Sequence, residues 1–196
     1  MYALLYHIIN PHWYPMKDQI LTTTPLKMGH PSLRKHCQEV KDFKGVRNIG
    51  VFFKELIENN PWSGIAAPQL GINLQIVAFQ YAPDVAERKG GTPLPPRVLI
   101  NPVITPLSDE TYDDWEACLS LPDLMGLVPR YTHIRFEGVD ETGAPVSEEA
   151  SGHLARIIQH ECDHLQGILY PERMKDLTAL IYRDQFQVWQ EEYGLL

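Results

Sequence analysis

Residues 159–164 read Gln-His-Glu-Cys-Asp-His, which sets His160 and His164 four positions apart with Glu161 directly after the first. On a helix, side chains at that spacing differ by about 40° around the axis and one turn along it, so both imidazoles can meet one tetrahedral cation. A carboxylate next to the first ligand can reach a water at that cation and take its proton, the arrangement of metal-assisted hydrolysis. A helix with two surface histidines and an incidental glutamate would share these letters. The amphipathic pattern around the motif favours the metal reading.

Two imidazoles need a further protein ligand. An extension to H-E-x-x-H-x-x-G-x-x-H finds Gly167 in place, but Tyr170 stands where the last histidine belongs. A glutamate from a later helix would have to be Glu191 or Glu192, near a chain end prone to fray. A thiolate from upstream is the other option, and Cys118 lies in Trp115-Glu116-Ala117-Cys118-Leu119-Ser120.

At this point the chain resembles the peptide deformylases, whose three motifs occur in order. G-x-G-φ-A-A-x-Q, with φ apolar, is matched by Trp62-Ser63-Gly64-Ile65-Ala66-Ala67-Pro68-Gln69; E-G-C-L-S by Glu116 to Ser120; Q-H-E-x-D-H by Gln159 to His164. The likeness runs from Ile20 to Met174. It implies a metal held by Cys118, His160 and His164, natively Fe2+, although the same ligands suit Zn2+, Ni2+ or Co2+. It implies Glu161 as general base and then acid, with the Gln69 side-chain amide and the Leu119 backbone N–H as donors to the tetrahedral oxyanion. The implied substrate is an N-formylmethionyl nascent peptide, extended along Gly64 and Ile65, with Ile157 and Leu119 as walls for the methionine side chain. Ile157 also fits ordinary core. Asp163 is expected either to accept from a ligand imidazole or to anchor the helix, and Glu116 with Arg130 to form a supporting ion pair.

Three positions depart from the family pattern. Trp62 replaces the first glycine of the first motif and must cover the rim of the site or pack outward; Ala117 replaces the glycine of the second. Met125 stands where bacterial members often carry an arginine, which predicts weaker binding of a peptide's C-terminal carboxylate.

The elements that must position these residues follow from periodicity. The stretch 43–59 places Val46, Ile49, Phe53, Leu56 and Ile57 at three- and four-residue steps and ends at Asn59-Asn60-Pro61, which predicts an amphipathic helix. Apolar runs at 74–81, 97–104 and 133–139 read as strands. Residues 82–96 hold four prolines and two glycines, which predicts a mobile surface loop. The motif helix spans 151–166, with Ser151 able to cap its start and Gly167 suited to a left-handed end. A last helix is expected from Asp176, with Leu177, Leu180, Ile181, Val188 and Trp189 on its apolar side. Helix, strands, then two helices argue for a single α+β domain, with antiparallel or mixed sheets around the central motif helix. Residues 1–15 read as an accessory extension ahead of a catalytic domain at 16–196.

Twenty-five acidic against 17 basic residues give a formal charge of -8, which repels phosphate backbones and anionic lipid, so neither direct nucleic-acid nor membrane binding is expected. Three scattered cysteines make no disulfide framework, and a thiolate ligand needs a reducing compartment. Cys162, about 200° from His160 on the helix, should point away from the metal. With no signal or transit pattern, the bacterial cytoplasm is the expected location, an organelle the alternative, and contact with the ribosome at most transient. An endopeptidase and a non-catalytic metal-retaining protein are the rival readings. The first is disfavoured by Tyr170 and the Cys118 motif, the second by Glu161 and Gln69 standing beside all three ligands.

Overall fold

The computed structural model describes residues 24–194; the expected extension at 1–15 lies outside them. The first helix, α1 (Phe43–Glu58), forms where the periodicity predicts. It stops because Asn59 and Asn60 turn back: their side-chain amides donate to the carbonyls of Glu55 and Leu56, both at 2.8 Å, satisfying acceptors that the helix end leaves open.

Two antiparallel sheets carry the rest. The larger has the order β1 (Gly64–Ala66), β2 (Ile76–Tyr81), β3 (Leu94–Pro106), β6 (His133–Val139), β7 (Pro145–Ser151). The smaller joins β4 (Thr111–Cys118), β5 (Leu121–Tyr131) and β8 (Leu180–Tyr182). The motif helix, α3 (Gly152–Leu165), packs across β1 and β2.

Strand β2 explains the architecture. Ile76 and Ala78 face a core with Val46, Ile49, Phe53 and Ile57 of α1. Val77, Phe79 and Tyr81 face the opposite core with Ala155, Ile157 and Ile158 of α3. A strand covered by a helix on each side must be apolar at every position, hence the unbroken run Ile-Val-Ala-Phe.

Three expectations fail. The loop expected at 82–96 contains a helix, α2 (Pro83–Lys89). Pro83 falls in the first turn, where a missing N–H leaves nothing unpaired, Asp84 and the Arg88-Lys89 pair suit the two ends of the dipole, and Gly90 takes φ 77° beyond the last turn. Its Lys89 Nζ lies 2.8 Å from Asp114 on β4, tying α2 to the smaller sheet. Pro95 and Pro96 fall where the β2–β3 register shifts.

The single helix expected from Asp176 is instead broken. Asp176 does cap, accepting from the Thr178 N–H at 2.8 Å, but only a 3-10 turn at Leu177–Ala179. Leu180, Ile181 and Tyr182 then pair with Gly126, Met125 and Leu124, because β5 offers an open edge; α4 is confined to Phe186–Tyr193. Ser151 precedes α3 without a side-chain capping bond, whereas Gly167 is left-handed as expected, at φ 74°. A β-carbon there would stand 2.7 Å from the Arg34 backbone.

Candidate metal centre

Helix α3 and strand β4 converge on one buried point. His160 and His164 project from α3 and are 9% and 1% exposed; Cys118, 8% exposed, ends β4 just before the turn into β5. A ligand atom from each lies within 4.8 Å of the other two, and Cys118 Sγ is 3.3 Å from His164 Nε2. Donors also face the sulfur: the Ser120 N–H at 3.4 Å and Gln69 Nε2 at 3.5 Å. One thiolate and two imidazoles of this closeness fit a divalent cation of the borderline-soft class.

Gln69 is held on both sides. Its oxygen accepts from the Ala66 N–H at 2.8 Å, and Nε2 donates to Ser120 Oγ at 3.1 Å, aiming the amide toward Cys118. Glu161 is 5% exposed and lines the same cleft, its Oε2 buried without a hydrogen bond among the described residues. Burial pushes its carboxyl up to about 7, with the Glu116 charge also raising it and His160 and Arg130 pulling it down. Gly64 makes room for it, because a β-carbon at 64 would stand 2.3 Å from Glu161 Oε1. The resemblance places an extended peptide along Gly64; the structure shows that a side chain there would also meet this carboxyl.

The cleft, about 790 Å3, is lined by Trp62, Gly64, Gln69, Leu119, Ile157 and Glu161 among others. Trp62 lines it while resting against the α1 core. Ile157 belongs to both readings, packed in the α3 core and exposed to the cleft. Ile65 is fully buried, packed in the α1 core, and β1 is the edge strand of its sheet, paired only with β2 among the described strands. Met125 is absent from the lining. Arg88 and Lys89 of α2 and Arg183 beyond β8 supply cationic side chains there instead, so the loss of an arginine at 125 does not leave the cleft without positive charge.

The support around the ligands is only partly as expected. Glu116 and Arg130 are a buried pair at 2.8 Å. Asp163 anchors the helix, accepting from Arg130 at 2.6 Å and Arg173 at 2.7 Å, and does not serve an imidazole. That partner is Glu116, whose Oε2 is 2.8 Å from His160 Nδ1. Sequence reasoning missed Arg156, which donates to Glu116 at 2.9 Å, and Tyr170, whose ring stacks on His160 at 6.3 Å. A signal for the first was present: an arginine one turn before His160, on the apolar face of α3. Cys162 packs away from the ligands, in the α3 core, as expected.

A cysteine, two histidines and an adjacent buried carboxylate, opening on a cleft beside an edge strand, are the apparatus of a metal-assisted hydrolase acting on extended peptides. A family model of polypeptide deformylase matches residues 20–179. The chain is 46% identical over 162 residues to peptide deformylase 1 of Bordetella pertussis, covering 81% of this chain and 91% of that one. Among solved structures, a Met-Ala-Ser complex of the Acinetobacter baumannii peptide deformylase superposes with a TM-score of 0.69 at 28% identity, covering 79% of this chain and 98% of that one. A Synechococcus elongatus peptide deformylase in complex with actinonin gives a TM-score of 0.67 at 29% identity, over 88% and 86% of the two chains.

The chain belongs to the peptide deformylase family. It is a metal-dependent hydrolase that removes the N-formyl group from newly made polypeptides.

Proposed function

We propose that in this deformylase Cys118, His160 and His164 hold one divalent ion, natively Fe2+, and that Glu161 is the general base. The meeting of three buried donors, two of which, Cys118 and His160, line one cleft with Glu161, carries this reading. When bound, the ion supplies Lewis acidity toward the formyl oxygen and lowers the pKa of water. The peptide lies extended beside β1, the edge strand of its sheet, bonded to the main chain of Gly64 and Ile65, with its methionine side chain against Ile157 and Leu119; Gly64, Leu119 and Ile157 line the cleft. Glu161, desolvated and with no competing hydrogen bond at Oε2 among the described residues, takes a proton from the attacking water and passes it to the departing amine. Gln69 Nε2 and the Leu119 N–H donate to the oxygen on which charge develops. Residues 16–196 form the catalytic unit, working in the bacterial cytoplasm on nascent chains, with at most a transient ribosome contact.

Protein purified anaerobically should carry about one iron per chain and release formate from formyl-Met-Ala-Ser. Glu161→Ala should keep the metal while losing about 10²–10⁴-fold in kcat. An iron-loaded wild type that releases no formate would overturn the reading.

A further inference from the structure

Arg156 is the largest of the fully buried side chains, 1% exposed, and no catalytic step requires it. Its guanidinium reaches from α3 to the smaller sheet. One terminal nitrogen donates to Glu116 Oε1 at 2.9 Å, to the Val128 carbonyl at 2.7 Å and to the Asp114 carbonyl at 3.3 Å. The other donates to the Tyr112 carbonyl at 2.7 Å, and Nε approaches the Tyr112 hydroxyl at 3.4 Å, with the Tyr112 ring 4.5 Å from the guanidinium carbon. Three of these acceptors, Tyr112, Asp114 and Glu116, are alternate residues of β4, the strand that ends in Cys118.

The placement on α3 matters equally. Positions 156, 160 and 164 recur at four-residue steps, so Arg156 continues the stripe of the two histidines. The helix supplies two of the three donor side chains and the strand the third; Arg156 spans the two elements, bonding to strand carbonyls and to Glu116. Glu116 in turn fixes His160 through Nδ1, leaving Nε2 toward Cys118. The charges pair as well: Glu116 meets Arg130 and Arg156, and Asp163 meets Arg130 and Arg173. A buried guanidinium is a poor source of stability compared with apolar packing, but a good way to fix geometry.

We propose that Arg156 is a positioning residue for the metal centre, locking the cysteine-bearing strand to the histidine-bearing helix and holding Glu116 against His160. This deepens the ligand assignment above and rests on it. The test uses full-length protein loaded with Co2+, whose thiolate and d–d absorption bands report ligand geometry independently of turnover. In Arg156→Met these bands should shift, and loss of Co2+ to a chelator should quicken about 10–100-fold. Arg156→Lys, which keeps a charge near Glu116 but cannot span the three strand carbonyls, should also shift the bands, with a smaller increase in metal loss. Should Arg156→Met not fold, the lysine variant decides alone. Unchanged bands and release rate in a folded variant, even one with a lowered Tm, would overturn the proposal and leave Arg156 as packing. Wild-type protein without a thiolate–cobalt band would instead refute the ligand assignment.

Discussion

A single absent methyl group leaves the room that the Glu161 carboxyl occupies. Gly64 is neither left-handed nor in a turn; it is glycine because Glu161 occupies the space where its β-carbon would be. In Gly64→Ala the carboxyl must move by about an ångström or the β1 edge must retreat, and displacements of that size cost on the order of a hundredfold in rate. We expect kcat/KM on formyl-Met-Ala-Ser to fall at least that far, with Tm within a few degrees of wild type. A variant within threefold of wild type would mean that Glu161 tolerates displacement. The adjacent residue needs a different probe: the Ile65 side chain is buried in the α1 core, so Ile65→Val should leave kcat/KM nearly unchanged and cost about 0.5–1.5 kcal/mol in urea unfolding, as for other buried isoleucines.

At the scale of elements, what was legible in the sequence depended on how each element is buried. Helix α1 and strands β2, β3 and β6 have cores on defined faces, so their periods of 3.6 and 2 are written in apolar residues. Strands β4 and β7 are mostly polar, and β5 contains Pro122 and Pro129, so pairing rather than composition makes them strands. The 180–182 segment reads helical alone and becomes β8 because β5 has an open edge, a fact no local window contains. In the site, side chains with ligand spacing could be found, whereas the link from Glu116 to His160 joins residues 44 apart in sequence and needs the fold. Helix α2, hidden among prolines, is tied down by Lys89 and Asp114. Although burial opposes it, contacts with His153, Lys89 and the Trp115 N–H hold the Asp114 carboxyl well below its ordinary value. Between its folded and unfolded pKa values the unfolded chain binds more protons, so this contribution is present above about pH 4 and is lost as pH falls. Urea unfolding of Asp114→Asn should therefore show a weaker loss of stability between pH 5 and 2.5 than wild type; parallel curves would remove Asp114 from the acid response.

For the whole molecule, the formal charge of -8 meets a cleft whose own lining mixes Asp84, Asp123 and Glu161 with Arg88, Lys89 and Arg183. Contacts within the cleft are short and weakly screened, while the net field extends over about a Debye length, near 8 Å at physiological salt. The two can therefore be separated by ionic strength. The field favours approach of cationic peptides and opposes anionic ones, so raising salt from about 0.02 to 0.5 M should lower kcat/KM for a formyl-Met peptide ending in lysines and raise it for one ending in aspartates. The same field opposes docking on ribosomal RNA through a broad basic face; no measurable binding to an isolated rRNA helix is expected at physiological salt. Tight RNA binding with a steep salt slope would show that a local basic surface outweighs the net charge. Equal salt responses for the two peptides would show that encounter is set by the cleft alone.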